Sequence, residues 1–266
     1  MTTVFFLFLS HSALGLLATL PFVPERAGTK YFKFCSAAAA FMSTCGLWLA
    51  FRRFGTAGGP GAPGGESYFP VLACTTASLL LCVLYNRARH FGWTRAQWPF
   101  LAGSLVAGLG AIVLGAPAAQ RGLIAATDLT SVLLIGAAAG AMILGHWYLV
   151  VIDLPILALR RLTLLLVVAL VLRSLVVGFA LVGPLHAGLE DARAVAAGLW
   201  SQDGVFVWMR VLFGIVGPFS LIWFIWKTVE VRSTQSATGI LYVQLFLVLS
   251  GELLSKYLRI AAGLPL

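Results

Sequence analysis

The sequence predicts an all-α, polytopic membrane protein: a bundle of about eight transmembrane helices forming a single helical domain over residues 1–266. Three observations predict it. The chain is 60% hydrophobic and 10% charged, with a mean hydropathy of +0.97; a soluble domain carries about 25% charged residues, so a water-facing surface cannot be made from this composition. The apolar residues fall into runs near the ~20 residues that a helix needs to cross a bilayer. The basic residues behind the net charge of +9 sit in the short links between those runs, which is the pattern of membrane anchoring and topology rather than of nucleic-acid binding.

The expected spans, in order, are Val4–Leu20, Tyr31–Phe51, Phe69–Asn86, Trp98–Gly115, Leu129–Val151, Leu162–Val182, Gly204–Trp226 and Ala237–Leu258. The first reads as a retained helix, because no basic residue precedes Val4 and its apolar stretch is longer than that of a cleaved signal. The links after spans one, three, five and seven hold about ten basic residues, among them Arg26, Lys30, Arg87, Arg89, Arg160, Arg161 and Lys227. The opposite links hold only Arg52, Arg53, Arg121 and Arg193, with Lys256 and Arg259 near the end of the last span. The excess of Lys and Arg on the cytoplasmic side then places both termini on the outer, periplasmic side of the cell inner membrane.

Two links are long. Gly55–Ser67 is too rich in glycine and proline for regular structure. Gly183–Asp203 carries His186, Glu190 and Asp191, and its stretch Leu189–Leu199 suits a short surface helix. Asp153 and Pro155 mark the end of the fifth span.

Small residues prepare several helices for close packing. Gly103, Ala107, Ala111 and Gly115 recur every four residues, and Gly136, Gly140 and Gly145 continue the theme in the fifth span. Cys35, Cys45, Cys74 and Cys82 all lie inside apolar runs without a CxxC spacing or a neighbouring histidine, and read as small core residues.

Chemistry concentrates in the last two spans. Gln244, Glu252, Ser255, Lys256 and Arg259 fall within an arc of about 120° at roughly 100° per residue, with Gly251 at its edge. A helix facing lipid has no use for such a stripe, whereas one facing a bundle interior does. Arg210 lies about six residues inside the preceding span, and the two spans are consecutive and antiparallel, so Arg210 and Glu252 are expected to be neighbours. Counted from the span ends, His11, Arg210, Glu252 and Lys256 share the outer third of the bilayer, Arg173 lies near its middle and His146 near the inner surface. One reading is an internal salt bridge with Lys256, at i+4, sharing the carboxylate. The other makes Glu252 a proton acceptor and His11 a hydrogen-bond partner in a pocket for a quinol, whose oxidation releases protons.

Other chemistries find little support in the residues. His11 and His146 differ in depth by about nine residues, roughly 13 Å, so they do not suit the two ligands of one haem. His90 and His186 fall in links on opposite sides. The sequence contains no Walker loop, HExxH motif or nucleophile elbow.

The segment LFLVLSGELLSKYL (Leu245–Leu258) resembles the final helix of the membrane anchor subunits of dimethyl sulfoxide reductase-type enzymes. The resemblance covers that helix and the helix count, and carries Gly251 and Glu252 as motif positions. It implies an eight-helix anchor with both termini outside that exchanges electrons between quinone and a partner subunit. The expectation is a quinone-interacting subunit of a respiratory complex, with Glu252 and His11 in catalytic roles and Arg210, Glu252, Lys256 and Gln244 binding quinone. No haem or metal is expected within the chain. Its partners would be the lipid bilayer and iron–sulfur or cytochrome subunits, with no nucleic acid. The alternatives are a small-solute transporter or permease using Arg173, and a structural assembly subunit.

Overall fold

Among the described residues, eight apolar segments become eight helices long and apolar enough to cross a membrane. The computed structural model describes residues 1–54, 68–116, 121–151, 154–187, 204–261 and 263–264, without the side chains of residues 53, 54, 68 and 183–187. Within these residues every regular element is helical, and no strand forms. We number the helices α1 (Thr2–Thr19), α2 (Thr29–Phe54), α3 (Tyr68–Phe91), α4 (Thr94–Gly115), α5 (Arg121–Val150), α6 (Leu157–Ala187), α7 (Gly204–Val211), α8 (Gly217–Glu230) and α9 (Thr234–Ala261). A π-helical turn, Leu212–Val216, joins α7 to α8, so the two form one span from Gly204 to Glu230.

The helices extend past the apolar cores that announce them. α5 begins at Arg121, eight residues before the expected start of its span at Leu129, and takes Asp128 into the helix. α3 continues through Arg87, Arg89 and His90, and α6 begins before Arg160 and Arg161. The physical reason is common to all three. Backbone hydrogen bonding does not stop where hydropathy falls, and a long basic side chain near a helix end keeps its stem in the apolar zone while its head reaches out. The expected loop Gly55–Ser67, the expected surface helix Leu189–Leu199 and Asp153 lie outside the described residues.

The chain divides into two compact units, Met1–Val132 and Leu133–Leu266, with the division inside α5. In the first unit, α4 lies against α3 along its small-residue face. A Cβ on Gly103 would stand 3.1 Å from Leu81, and one on Gly115 would stand 3.6 Å from Val71. Ser78 and Ser104 each donate a hydroxyl to the other's carbonyl at 2.8 Å, which ties the two helices without leaving either hydroxyl unsatisfied. Gly92, at φ +72°, adopts the left-handed conformation that makes the short α3–α4 turn possible. α1 packs against α2 and α4, with Phe6, Leu47, Ala50 and Val71 in one apolar cluster and Leu14, Ile112 and Val132 in another.

Arg89 fastens the α1–α2 link to this unit. Its guanidinium makes a bidentate pair with Glu25 at 2.5 and 2.9 Å, donates to the Tyr85 hydroxyl at 3.2 Å and lies 3.9 Å from the Phe32 ring centroid. Nearby, Asn86 donates to the Lys33 carbonyl and the Ser36 hydroxyl. In the second unit, Val177, Val207 and Leu258 join α6, α7 and α9 in an apolar cluster, and Gly145 of α5 receives Thr238 and Leu241 of α9. Cys35, Cys45, Cys74 and Cys82 are free thiols.

Candidate functional site

The polar stripe of α9 faces inward. Gln244, Gly251, Glu252, Ser255 and Lys256 are buried, and Arg259 is partly exposed at the helix end. Glu252 is the centre of the arrangement, wholly buried in an apolar helix and approached by three cations from three helical spans. Arg173 of α6 donates through Nε to Oε1 at 2.9 Å and through Nη2 to Oε2 at 3.1 Å. Arg210 of α7 donates through Nη2 to Oε1 at 2.9 Å. Lys256, one turn along α9, places Nζ 4.0 Å from Oε2. Arg173 Nη2 also donates to the Ser255 hydroxyl at 2.8 Å. Arg173, Arg210, Glu252 and Lys256 are all 0% exposed, so these charges stand where attraction is strong and leaving any one unpaired is costly.

Two features of the backbone bring Arg210 to Glu252. The π-helical turn begins two residues beyond Arg210, and such turns occur mostly as single-turn bulges inside α-helices, frequently at functional sites. Gly214, inside that turn, stands directly against Gly251 of α9. A Cβ on Gly251 would collide with the Gly214 backbone, and one on Gly214 would occupy the position of Arg210 Nη1. The two glycines therefore let the helices approach closely enough for the guanidinium to lie in the notch between them. Gly217 continues the seam, with a Cβ there 3.0 Å from Leu247.

Not all of the polar capacity on this seam is used. Arg210 Nε and Nη1 have no hydrogen-bond partner among the described residues, and neither does Gln244 Nε2 or Oε1. Both residues are wholly buried. Gln244 lies seven residues from Gly251, about 10 Å along the same face of α9, so one face of this helix carries an unsatisfied amide and meets a partly satisfied guanidinium.

The expected neighbours Arg210 and Glu252 do meet, and Lys256 shares the carboxylate. Arg173 joins them, which depth counting did not foresee. It lies nine residues from Val182 and Glu252 six from Leu258, a difference of about 4.5 Å along the normal that a long arginine side chain spans easily. His11 lies in the first unit, where its Nδ1 is 3.9 Å from Asp128 Oδ1. Sequence reasoning passed over Asp128 by assigning it to a link; its place four residues before Val132 on the buried face of α5 was the available signal. His146 lies 3.4 Å from the Tyr242 hydroxyl at the exposed surface, and His90 accepts from Lys33 at 3.0 Å. Among the described residues no group of three or more His, Cys, Asp or Glu side chains gathers as a metal site. Comparison with family models, with curated proteins and with solved structures gives no match for this chain.

Proposed function

We propose that this multi-pass membrane protein is a quinone-interacting subunit of a respiratory electron-transfer complex, with the head group held on the seam between α7 and α9. The observation that carries the reading is the unsatisfied hydrogen-bonding capacity of Arg210 and Gln244 inside membrane-spanning helices. Buried donors and acceptors are ordinarily paired, because an unmet one costs about 1–3 kcal/mol. A quinone suits these groups: its carbonyl oxygens accept from Arg210 or Gln244 Nε2, a quinol hydroxyl donates to Gln244 Oε1, and its apolar ring and tail suit the surrounding helices. In this reading Arg210 and Gln244 bind, and Lys256 adds positive charge beside Glu252. Both oxygens of Glu252 are already engaged by guanidiniums, so its first role is to position Arg210 and Arg173. Electrons pass to iron–sulfur or cytochrome partner subunits in the cell inner membrane, and both termini lie on the outer side.

A second reading, transport of a small solute, draws on the place of Arg173. It belongs to the same buried cluster as Arg210 and Glu252, so a substrate or coupling site centred on Arg173 would share the seam.

Purification in mild detergent, with mass spectrometry and a visible spectrum on the same sample, tests the proposal. Co-purifying iron–sulfur or cytochrome subunits are expected. A lone, colourless protein from otherwise intact membrane complexes overturns the subunit reading and moves transport to first place.

A further inference from the structure

We propose that His11 and Asp128, a buried pair in the first unit, bind and release a proton within the membrane-spanning helices. The inference goes beyond the quinone reading and does not depend on what the second unit binds. His11 lies on α1 and Asp128 in the first half of α5; their side chains are 4% and 3% exposed, and Nδ1 stands 3.9 Å from Oδ1. A carboxylate and an imidazole inside membrane helices are costly to keep, and such residues form the proton relays of membrane proteins. Imidazole is the side chain whose charge changes most readily between pH 5 and 8.

The separation itself is informative. At 3.9 Å the pair is too far apart for a direct hydrogen bond, yet an approach of about 1 Å would form a charge-assisted N–H···O bond near 2.8 Å. Protonation makes the imidazole a donor at both ring nitrogens and gives it a charge opposite to that of the carboxylate. A hydronium ion gives its proton to the ring nitrogen, one O–H bond breaking as one N–H bond forms and a water molecule being left, and release to water is the reverse. Thr127 and Ser131 flank Asp128 on the buried face of α5, and Ser12 of α1 donates its hydroxyl to the Phe8 carbonyl at 2.7 Å. The walls are therefore hydroxyl-bearing on both helices.

Among the described residues, the formal charges on α2 and α4 lie away from the places where those helices meet α1. α2 meets α1 where Gly46 faces Ser10; Cys45 is the nearest titratable group there, and Arg52 is six residues, about 9 Å, further along. Lys30 and Lys33 stand near the opposite end of α2. α4 meets α1 where Gly108 faces Leu14, and Arg95 is thirteen residues, about 20 Å, away. On α5 itself, Arg121 is seven residues, about 10 Å, from Asp128.

The test is nitrogen-15 NMR of histidine-labelled, full-length protein in lipid nanodiscs across about pH 5 to 9. One imidazole, identified by its loss in H11Q, is expected to switch reversibly between neutral and charged forms. D128N should abolish that switch in this range and D128E should restore it. If H11Q does not assemble, pairwise labelling of the Ser10–His11 peptide identifies the same signal in the wild-type protein. A wild-type His11 that keeps one protonation form throughout overturns the proposal, as does a D128N protein that titrates like the wild type.

Discussion

Glu252 binds two guanidiniums that enter from different helices, and that sharing governs what single substitutions do. Removing Glu252 leaves three buried cations without their counter-charge, and breaking a buried pair in this way costs about 3–5 kcal/mol, whereas removing Arg210 leaves the carboxylate paired with Arg173 and beside Lys256. The double change R210Q/E252Q is therefore expected to be milder than the sum of its single changes by about 0.5–3 kcal/mol, measured by unfolding in mixed micelles. Strictly additive losses would show that the pair contributes nothing jointly. Gln244 behaves in the opposite way. Its amide has no partner among the described residues, so Q244L, which is similar in volume and apolar, should leave stability unchanged or raise it while weakening quinone binding about tenfold or more. A Q244L protein that unfolds more easily would mean that the amide serves the fold. Arg210 beside Glu252 was legible in the sequence because consecutive spans are antiparallel neighbours, and Lys256 because it is one turn away. Arg173 was not, since counting Cα depth ignores the reach of its side chain.

At the scale of helices, the site depends on what is missing from Gly214 and Gly251. Their contact lets the π-helical turn lie against α9, with Arg210 filling the notch. G251A is expected to destabilise the protein by about 1–3 kcal/mol through overpacking and to loosen Arg210 from Glu252. G214A should act in the same direction, and thermal unfolding of the detergent-solubilised variants reads both; a Tm unchanged from wild type would mean that the seam has slack. The first unit has its own tie in Arg89 and Glu25. E25Q keeps the shape of the link but removes its charge, so protease cleavage near Glu25 should become faster. Unaltered cleavage would assign the link's order to Phe32 and Tyr85 instead. The flat face of α4 was legible from glycine and alanine at every fourth position, and it does meet α3. Helix ends were not, because hydropathy reports lipid contact while the backbone hydrogen bonds of α3, α5 and α6 continue beyond it. Moving the start of α5 to Arg121 is what brings Asp128 into a helix and opposite His11.

For the whole molecule, composition alone carried the class, and eight membrane-length helices follow from it. The excess of basic residues in alternate links predicts that reporter fusions at either terminus are active only on the outer side. Activity on the cytoplasmic side would reverse the orientation and the assignment of the basic links. The central claim is that a quinone head group occupies the α7–α9 seam. Photo-crosslinking with an azido-quinone, followed by peptide mapping, tests it most directly. The account predicts saturable labelling of peptides containing Arg210–Val216 and Gln244–Lys256, displaced by unlabelled quinone and lost in Q244L. Labelling that never saturates, or that falls on helices of the first unit alone, would contradict it.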